Sequence, residues 1–339
     1  AIREQVASGQ MPPWHAAESH GTFSNDRPLS EQEKATVIAW AGGGAPIGEA
    51  KDFPPAPKFI DGWEIGTPDA VISMPKPYAV PGEGAINYQY FQTPTNFTED
   101  KWVQAIEVRP GARSVVHHIL VFCREPGGAM PQSAAYKQVA PQLSADARRQ
   151  MPGTLIATTA PGTNAMIFNP GTALRIKAGS VLTFQMHYTA NGVATSDTSS
   201  VGIIFAKQPP QLEVLSSAFA NTLLRIQPGA NNEAVESAIE FNEDVRIFAL
   251  FPHTHLRGKS WEYRLVYPDG RMEVVLSVPK YDFNWQTYYI YAKPLAVPKG
   301  ARLEATAHYD NSVTNQWNPD PRATVRWGEQ TWEEMQYSG

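Results

Sequence analysis

Val245-Arg246-Ile247-Phe248-Ala249-Leu250-Phe251-Pro252-His253-Thr254-His255-Leu256-Arg257-Gly258 begins as an apolar run and ends on two histidines set two residues apart. The run reads as a buried strand. Side chains at i and i+2 of a strand share a face, so His253 and His255 point the same way if the strand continues through them. Neutral imidazole is a common transition-metal ligand, and a same-face pair is half of a tetrahedral site. The alternative is a pair of core histidines satisfied by hydrogen bonds.

Working outward, the same kind of short, β-rich segment recurs. Before this stretch come Val71–Met74, Tyr88–Phe91, Trp102–Val108, Val115–Phe122, Leu174–Ile176, Val181–Tyr188, Val201–Phe205 and Ile239–Phe241. After it come Trp261–Tyr267, Met272–Val278, Tyr288–Tyr291, Arg302–Tyr309 and Thr324–Trp327. Pro110-Gly111 and Pro126-Gly127-Gly128 punctuate the series, and Tyr267-Pro268-Asp269-Gly270-Arg271 is a tight hairpin signal. Many short strands at this spacing predict a mainly β fold of two consecutive antiparallel sandwiches. The expected boundaries are residues 59–208 for the first, 209–339 for the second, and 1–58 for a preceding helical segment and proline-rich linker, Asp52 to Lys58.

Of the 339 residues, 42% are hydrophobic and 18% charged, so a sizeable core is expected and disorder is not. The net charge of -5 comes without a basic block, which argues against a nucleic-acid partner. No apolar run approaches the ~20 residues a spanning helix needs. Cys123, the single cysteine, excludes an internal disulfide and a Cys-x-x-Cys-His haem attachment within the sequence.

In the N-terminal segment, Ser30 and Glu33 form a capping box, Val37, Ile38 and Ala41 give the helix an apolar face, and Gly42-Gly43-Gly44 ends it. Ahead of it stands Gly9-Gln10-Met11-Pro12-Pro13-Trp14. The arrangement resembles the end of a class I cytochrome c, which implies Met11 as a haem axial ligand if an attachment motif lies upstream in a longer parent chain, with haem c as its cofactor.

Three more histidines lie in apolar strands: His117 and His118 in Val115–Phe122, and His187 in Gln185-Met186-His187-Tyr188. Adjacent strand residues face opposite ways, so His117 and His118 reach one ion only at a bulge, at a strand end, or through different ring nitrogens. Three imidazoles suit copper or zinc. Near the end, Glu333-Glu334-Met335 offers a thioether, a soft ligand that favours Cu(I).

Taken in order, His-His, His-Tyr, His-Thr-His-x-x-Gly and Glu-Glu-Met resemble the copper type II ascorbate-dependent monooxygenases, the group of dopamine β-monooxygenase-like and peptidylglycine α-hydroxylating monooxygenase-like enzymes. The resemblance covers roughly residues 60–337. It implies two jelly-roll-like domains with one copper each. His117, His118 and His187 match the electron-transfer site, and His253, His255 and Met335 the oxygen-activating, catalytic site. It further implies O2, ascorbate or a cytochrome-type donor, and a small organic substrate hydroxylated at a C–H bond. Tyr309-Asp310-Asn311-Ser312 and the Met-Pro-Pro-Trp segment look like bacterial members, often fused to cytochrome c, which suggests a periplasmic or secreted protein. Phe251 stands where peptide-amidating members have the arginine that holds a substrate carboxylate. His308 and Gln336 stand where animal members bridge two cysteines, so His308 is expected near the second copper as an extra ligand or a partner of one. The competing expectations are a non-catalytic copper-binding or electron-transfer protein of the same fold, and a scaffold sandwich with structural histidines.

Overall fold

The structure is a computed structural model and describes residues 1–56, 62–128, 153–163 and 165–339. Strands make up 40% of the described residues and helices 7%, so the fold is mainly β, as expected.

In the first half, alternating apolar residues build two sheets. One has the order Gln89–Pro94, Val181–Tyr188, Val116–Arg124, Thr154–Thr159, all antiparallel. The other runs Ala70–Ser73, Ser200–Phe205, Lys101–Arg109, Thr172–Ile176, Leu212–Val214, of which only the last pair is parallel. Ile119, Val121, Phe184 and Met186 of the first sheet and Val103, Ile106, Val201 and Ile203 of the second are buried in one cluster. A second cluster lies in the later half, around the four-stranded sheet Glu233–Glu240, Arg302–Tyr309, Gly258–Val266, Met272–Val278. Its centre is Trp261, Tyr263, Leu265, Leu276 and Leu303. The predicted hairpin joins Gly258–Val266 to Met272–Val278: Tyr267 N–H donates to Arg271 O at 2.8 Å, and Gly270 takes φ +85°, which suits glycine.

The strand Glu233–Glu240 is longer than Ile239–Phe241 suggested. Its Ala, Ser and Glu residues have weak strand preference, and pairing along all of Arg302–Tyr309 overrides it.

The helix Glu31–Gly42 carries the expected capping box: Glu33 N–H donates to Ser30 Oγ, and Ser30 N–H donates to the Glu33 carboxylate. None of its residues is fully buried, so Val37, Ile38 and Ala41 cover little core. The stretch before it is better anchored. Phe23 sits in the second core cluster, with Trp14 and Ala16 packed against it. Ser24 N–H donates to Ile290 O and Ala292 N–H to Thr22 O, both at 2.8 Å. Packing thus ties residues 14–25 to the later half, although the chain runs from them into the earlier one. Of the predicted linker, Pro57 and Lys58 lie outside the described residues. No helix among the described residues is long and apolar enough to cross a membrane.

Candidate metal centres

His117 and His118 reach the same side because the strand Val116–Arg124 is bulged there. Val116 pairs with Tyr188 and His118 with His187, which leaves His117 as the unopposed extra residue. A bulge locally suspends the strict alternation of faces. The His117 and His118 Nδ1 atoms stand 3.1 Å apart, and those of His187 and His118 3.4 Å. Two nitrogens at ~2.0–2.1 Å from one ion in tetrahedral geometry are about 3.3 Å apart, with ring centroids about 5 Å apart. The three centroid separations are 5.3, 5.1 and 4.7 Å. The geometry therefore fits a first-row metal ion.

Electrostatics points the same way. Burial pushes His117 down, His187 down to about 4 and His118 well below the ordinary imidazole range, with neighbouring histidines adding to the last two. All three rings are neutral at pH 7 and can present lone pairs. Tyr88 leans edge-on against His187, and its hydroxyl lies 3.4 Å from His118 Nε2.

The second pair, His253 and His255, has ring centroids 5.2 Å apart at 83°, again the spacing of two imidazoles on one ion. Their tautomers follow from their partners. Gln286 Nε2 donates to Phe283 O at 3.0 Å, so the Gln286 oxygen is the atom 2.6 Å from His253 Nδ1, which must carry the proton. His255 Nδ1 donates to Glu333 O at 3.2 Å. Each Nε2 is left with a free lone pair. Burial holds His253 down at about 4 and His255 at about 3.

A buried carboxylate shapes this turn. Glu334 accepts N–H bonds from His255 at 2.7 Å and Arg257 at 2.6 Å. Arg257, also buried, donates to Asn311 Oδ1 and Trp332 O. Burial outweighs these donors and pushes Glu334 up to about 8. A Cβ at Gly258 would collide with the Thr254 side chain, which explains a glycine three residues after the second histidine.

Met335 follows Glu334 directly. Tyr337, two residues further on, pairs with His253, and the Glu334 carboxylate takes the His255 N–H, so Met335 lies between two residues that contact the histidine pair. Tyr309 Oη donates to Met335 O at 2.7 Å, and buried Gln336 donates to Ala305 O and accepts from Asn221 N–H. These bonds anchor the segment in a chain without a disulfide.

Two expected residues are not brought to a metal centre. His308 lies on Arg302–Tyr309, where Leu303, Ala305, Ala307 and Tyr309 form the buried face. Alternation puts His308 on the opposite face from Tyr309, the residue that reaches Met335. Met11 is 51% exposed, apart from the core that holds the second pair of histidines.

Sequence reasoning missed Tyr88, Gln286 and, most of all, Phe283, and it gave Glu334 no role beyond its place in the Glu-Glu-Met motif. The Phe283 ring stacks on His117 at 5.4 Å and lies 6.0 Å from His255. Both histidine sets therefore meet at one ring. A cleft of about 520 Å³ opens beside it, lined by His117, His187, Ile86, Leu256, Phe283 and Trp332 among others, with Glu83 the one acidic residue among the described residues that line it. Only the aromatic and amide content of Tyr281-Asp-Phe-Asn-Trp-Gln286, between two strands, hinted at this role.

No curated protein matches the sequence. Three solved structures align over much of the chain at 10% identity. One is the PBCV-1 VP54 structure fitted into a cryo-EM reconstruction of the virophage Sputnik (TM-score 0.27, 83% of this chain and 94% of that one). The others are PNGF-II (0.26, 79% and 64%) and a two-domain protein from Bacteroides fragilis NCTC 9343 (0.18, 77% and 88%). At such scores the likeness carries no inference. The sequence of residues 222–335, the stretch that holds His253, His255, Glu334 and Met335, matches the family model for the C-terminal domain of copper type II ascorbate-dependent monooxygenases. By that match, about a third of the chain is similar to the C-terminal domain of the copper type II ascorbate-dependent monooxygenases.

Proposed function

We propose that the protein uses O2 and an external electron donor to hydroxylate a C–H bond of a small organic substrate, with one copper at His117, His118 and His187 and another at His253, His255 and Met335. The observation that carries this reading is the meeting of both histidine sets at Phe283, beside a cleft large enough for a small molecule. Copper, when bound, supplies the one-electron steps that O2 reduction requires. The residues of the chain do the rest. His117, His118 and His187 offer three nitrogens and no sulfur, a set suited to passing electrons. His253 and His255, fixed by Gln286 and Glu333, offer two nitrogens, and Met335 a soft sulfur that favours the reduced ion. Three protein ligands leave a position for O2.

The described residues that line the cleft are largely apolar or small, with no arginine or lysine among them. Phe251 is buried against Tyr288. A substrate carboxylate therefore finds no cation among the described lining residues, and the fitting substrate is small, largely apolar and without a carboxylate. The two β units are read as jelly-roll-like domains, residues 59–208 and 209–339. The first 58 residues are read as a cytochrome c-like remnant, and the compartment as periplasmic or secreted. Ascorbate or a cytochrome-type protein is the donor.

The test is ¹⁸O₂ turnover with copper, ascorbate and a panel of small C–H substrates, read by mass spectrometry. One labelled oxygen per hydroxylated product is expected. Copper that cycles with ascorbate while no substrate acquires label would instead assign the chain to electron transfer.

A further inference from the structure

We infer that Phe283–Gln286 is a latch through which docking of the first β unit orients the His253 ring, so that the second metal centre is fully organised only when the two halves are docked. This rests on the proposed role of His253 as a copper ligand.

The segment lies between the strands Met272–Val278 and Tyr289–Val297 and has no ladder of its own. Its backbone is held from the other half of the molecule. Gln286 N–H donates to Pro161 O at 2.9 Å, and Thr163 Oγ1 donates to Gln286 O at 2.8 Å. Between those two residues, Gly162 adopts φ +93°, and a Cβ there would lie 2.8 Å from the Trp285 ring. Only glycine permits this close approach. Gln286 itself is 2% exposed. Its side chain gives the oxygen to His253 Nδ1 and the nitrogen to Phe283 O. One residue thus spends its backbone on the first half and its side chain on the second-site histidine. Phe283, at the start of the segment, touches His117 and His255 together.

If the 161–163 turn withdraws, both backbone groups of Gln286 lose their partners. The segment then has little reason to keep the Gln286 amide on His253, and the imidazole loses the acceptor that sets its tautomer and rotation. A partner that orients a metal-binding histidine typically contributes ~10–100-fold in metal affinity. Gln286 is therefore a positioning residue, and Gly162 and Thr163 act through it from the other half.

The test uses the full chain with Gly162→Val, Thr163→Val, Gln286→Leu and Gln286→Glu. Copper(II) affinity at each centre is measured by chelator competition, and the His253 Nδ1–H resonance is followed by NMR in copper-free protein. Gly162→Val and Gln286→Leu should weaken the second centre by about 10–100-fold, and Thr163→Val, which removes one bond, by a smaller factor in the same direction. All three should broaden or remove the resonance and leave the three-histidine centre unchanged. Gln286→Glu keeps an acceptor and should restore both readouts, which a merely structural role would not do. Wild-type affinity and a persistent resonance in folded Gly162→Val and Thr163→Val would overturn the latch; should Gly162→Val fail to fold, Thr163→Val decides. Absence of copper from the second centre of the unmodified chain would instead count against the proposed function, while the resonance would still report on the latch.

Discussion

In the proposed reading, oxygen chemistry at the second centre turns on Met335. Leucine matches its volume, so Met335→Leu should cost under ~1.5 kcal/mol in stability. Two histidines still hold Cu(II), but without the thioether the reduced ion is less favoured. Copper content near wild type with most hydroxylation lost is expected, measured as turnover of folded Met335→Leu at copper saturation. Normal turnover would remove Met335 from the site. The pH response follows from buried groups in the copper-free protein. His187 and His253 near 4 and His255 near 3 lie below the 6.5 of unfolded histidine, so the unfolded chain binds more protons between those values and stability falls as pH drops through that window. Glu334 near 8 lies above its unfolded 4.5, so its contribution has the opposite sign and stability falls as pH rises towards 8. Below 6.5 several histidines outweigh one glutamate; above it only Glu334 acts. The melting temperature of copper-free protein should peak near pH 6.5, and Glu334→Gln should flatten the alkaline side. A flat profile from pH 5 to 8 would contradict the burial of these groups. The histidines were legible because imidazole is scarce and their strands were plain. Gln286 and Glu334 were not, because an amide or carboxylate acquires its role only when distant chain closes over it.

Among elements, the bulge at His117 shows what a sequence leaves open. The pair His117-His118 allowed a bulge, a strand end or mixed ring nitrogens, and only pairing with Val181–Tyr188 selects the bulge. Strands rich in Val, Ile and aromatics were read closely, as at Val181–Tyr188 and Met272–Val278. Glu233–Glu240 was mostly missed, because its neighbours and not its own propensities make it a strand. The capping box at Ser30 was read correctly, since it depends on four adjacent residues. The docking of residues 14–25 on the second core was not foreseen, because the apolar residues involved carry no periodic pattern. Phe23 is 7% exposed and packs against Tyr289 and Tyr291. Phe23→Ala should cost about 3–5 kcal/mol, with the loss falling on the later half. Hydrogen exchange should show faster opening of Tyr289–Val297 than of Val181–Tyr188. Equal acceleration in both would mean that the N-terminal segment does not brace the later half selectively.

For the whole molecule, a mainly β fold was legible from periodicity and turns, while the approach of the two histidine sets was not. Contact between halves depends on shape, on Phe283 between His117 and His255 and on Trp285 against Gly162. Two of these contacts, Phe283 on His117 and Trp285 on Gly162, join residues more than a hundred positions apart and leave no mark on local sequence. Division of labour is nonetheless testable. His187→Ala removes one of three nitrogens from the first centre and should slow turnover, yet the reduced protein should still bind CO at the second. Loss of CO binding in that variant would contradict the assignment. The most direct measurement is copper stoichiometry by elemental analysis after loading and desalting, on the unmodified chain, His118→Ala and His253→Ala. Two ions per chain are expected in the first and one in each variant, with different Cu(II) EPR spectra for the two survivors. A single ion in the unmodified chain, or identical spectra from the two variants, would contradict two separate copper centres.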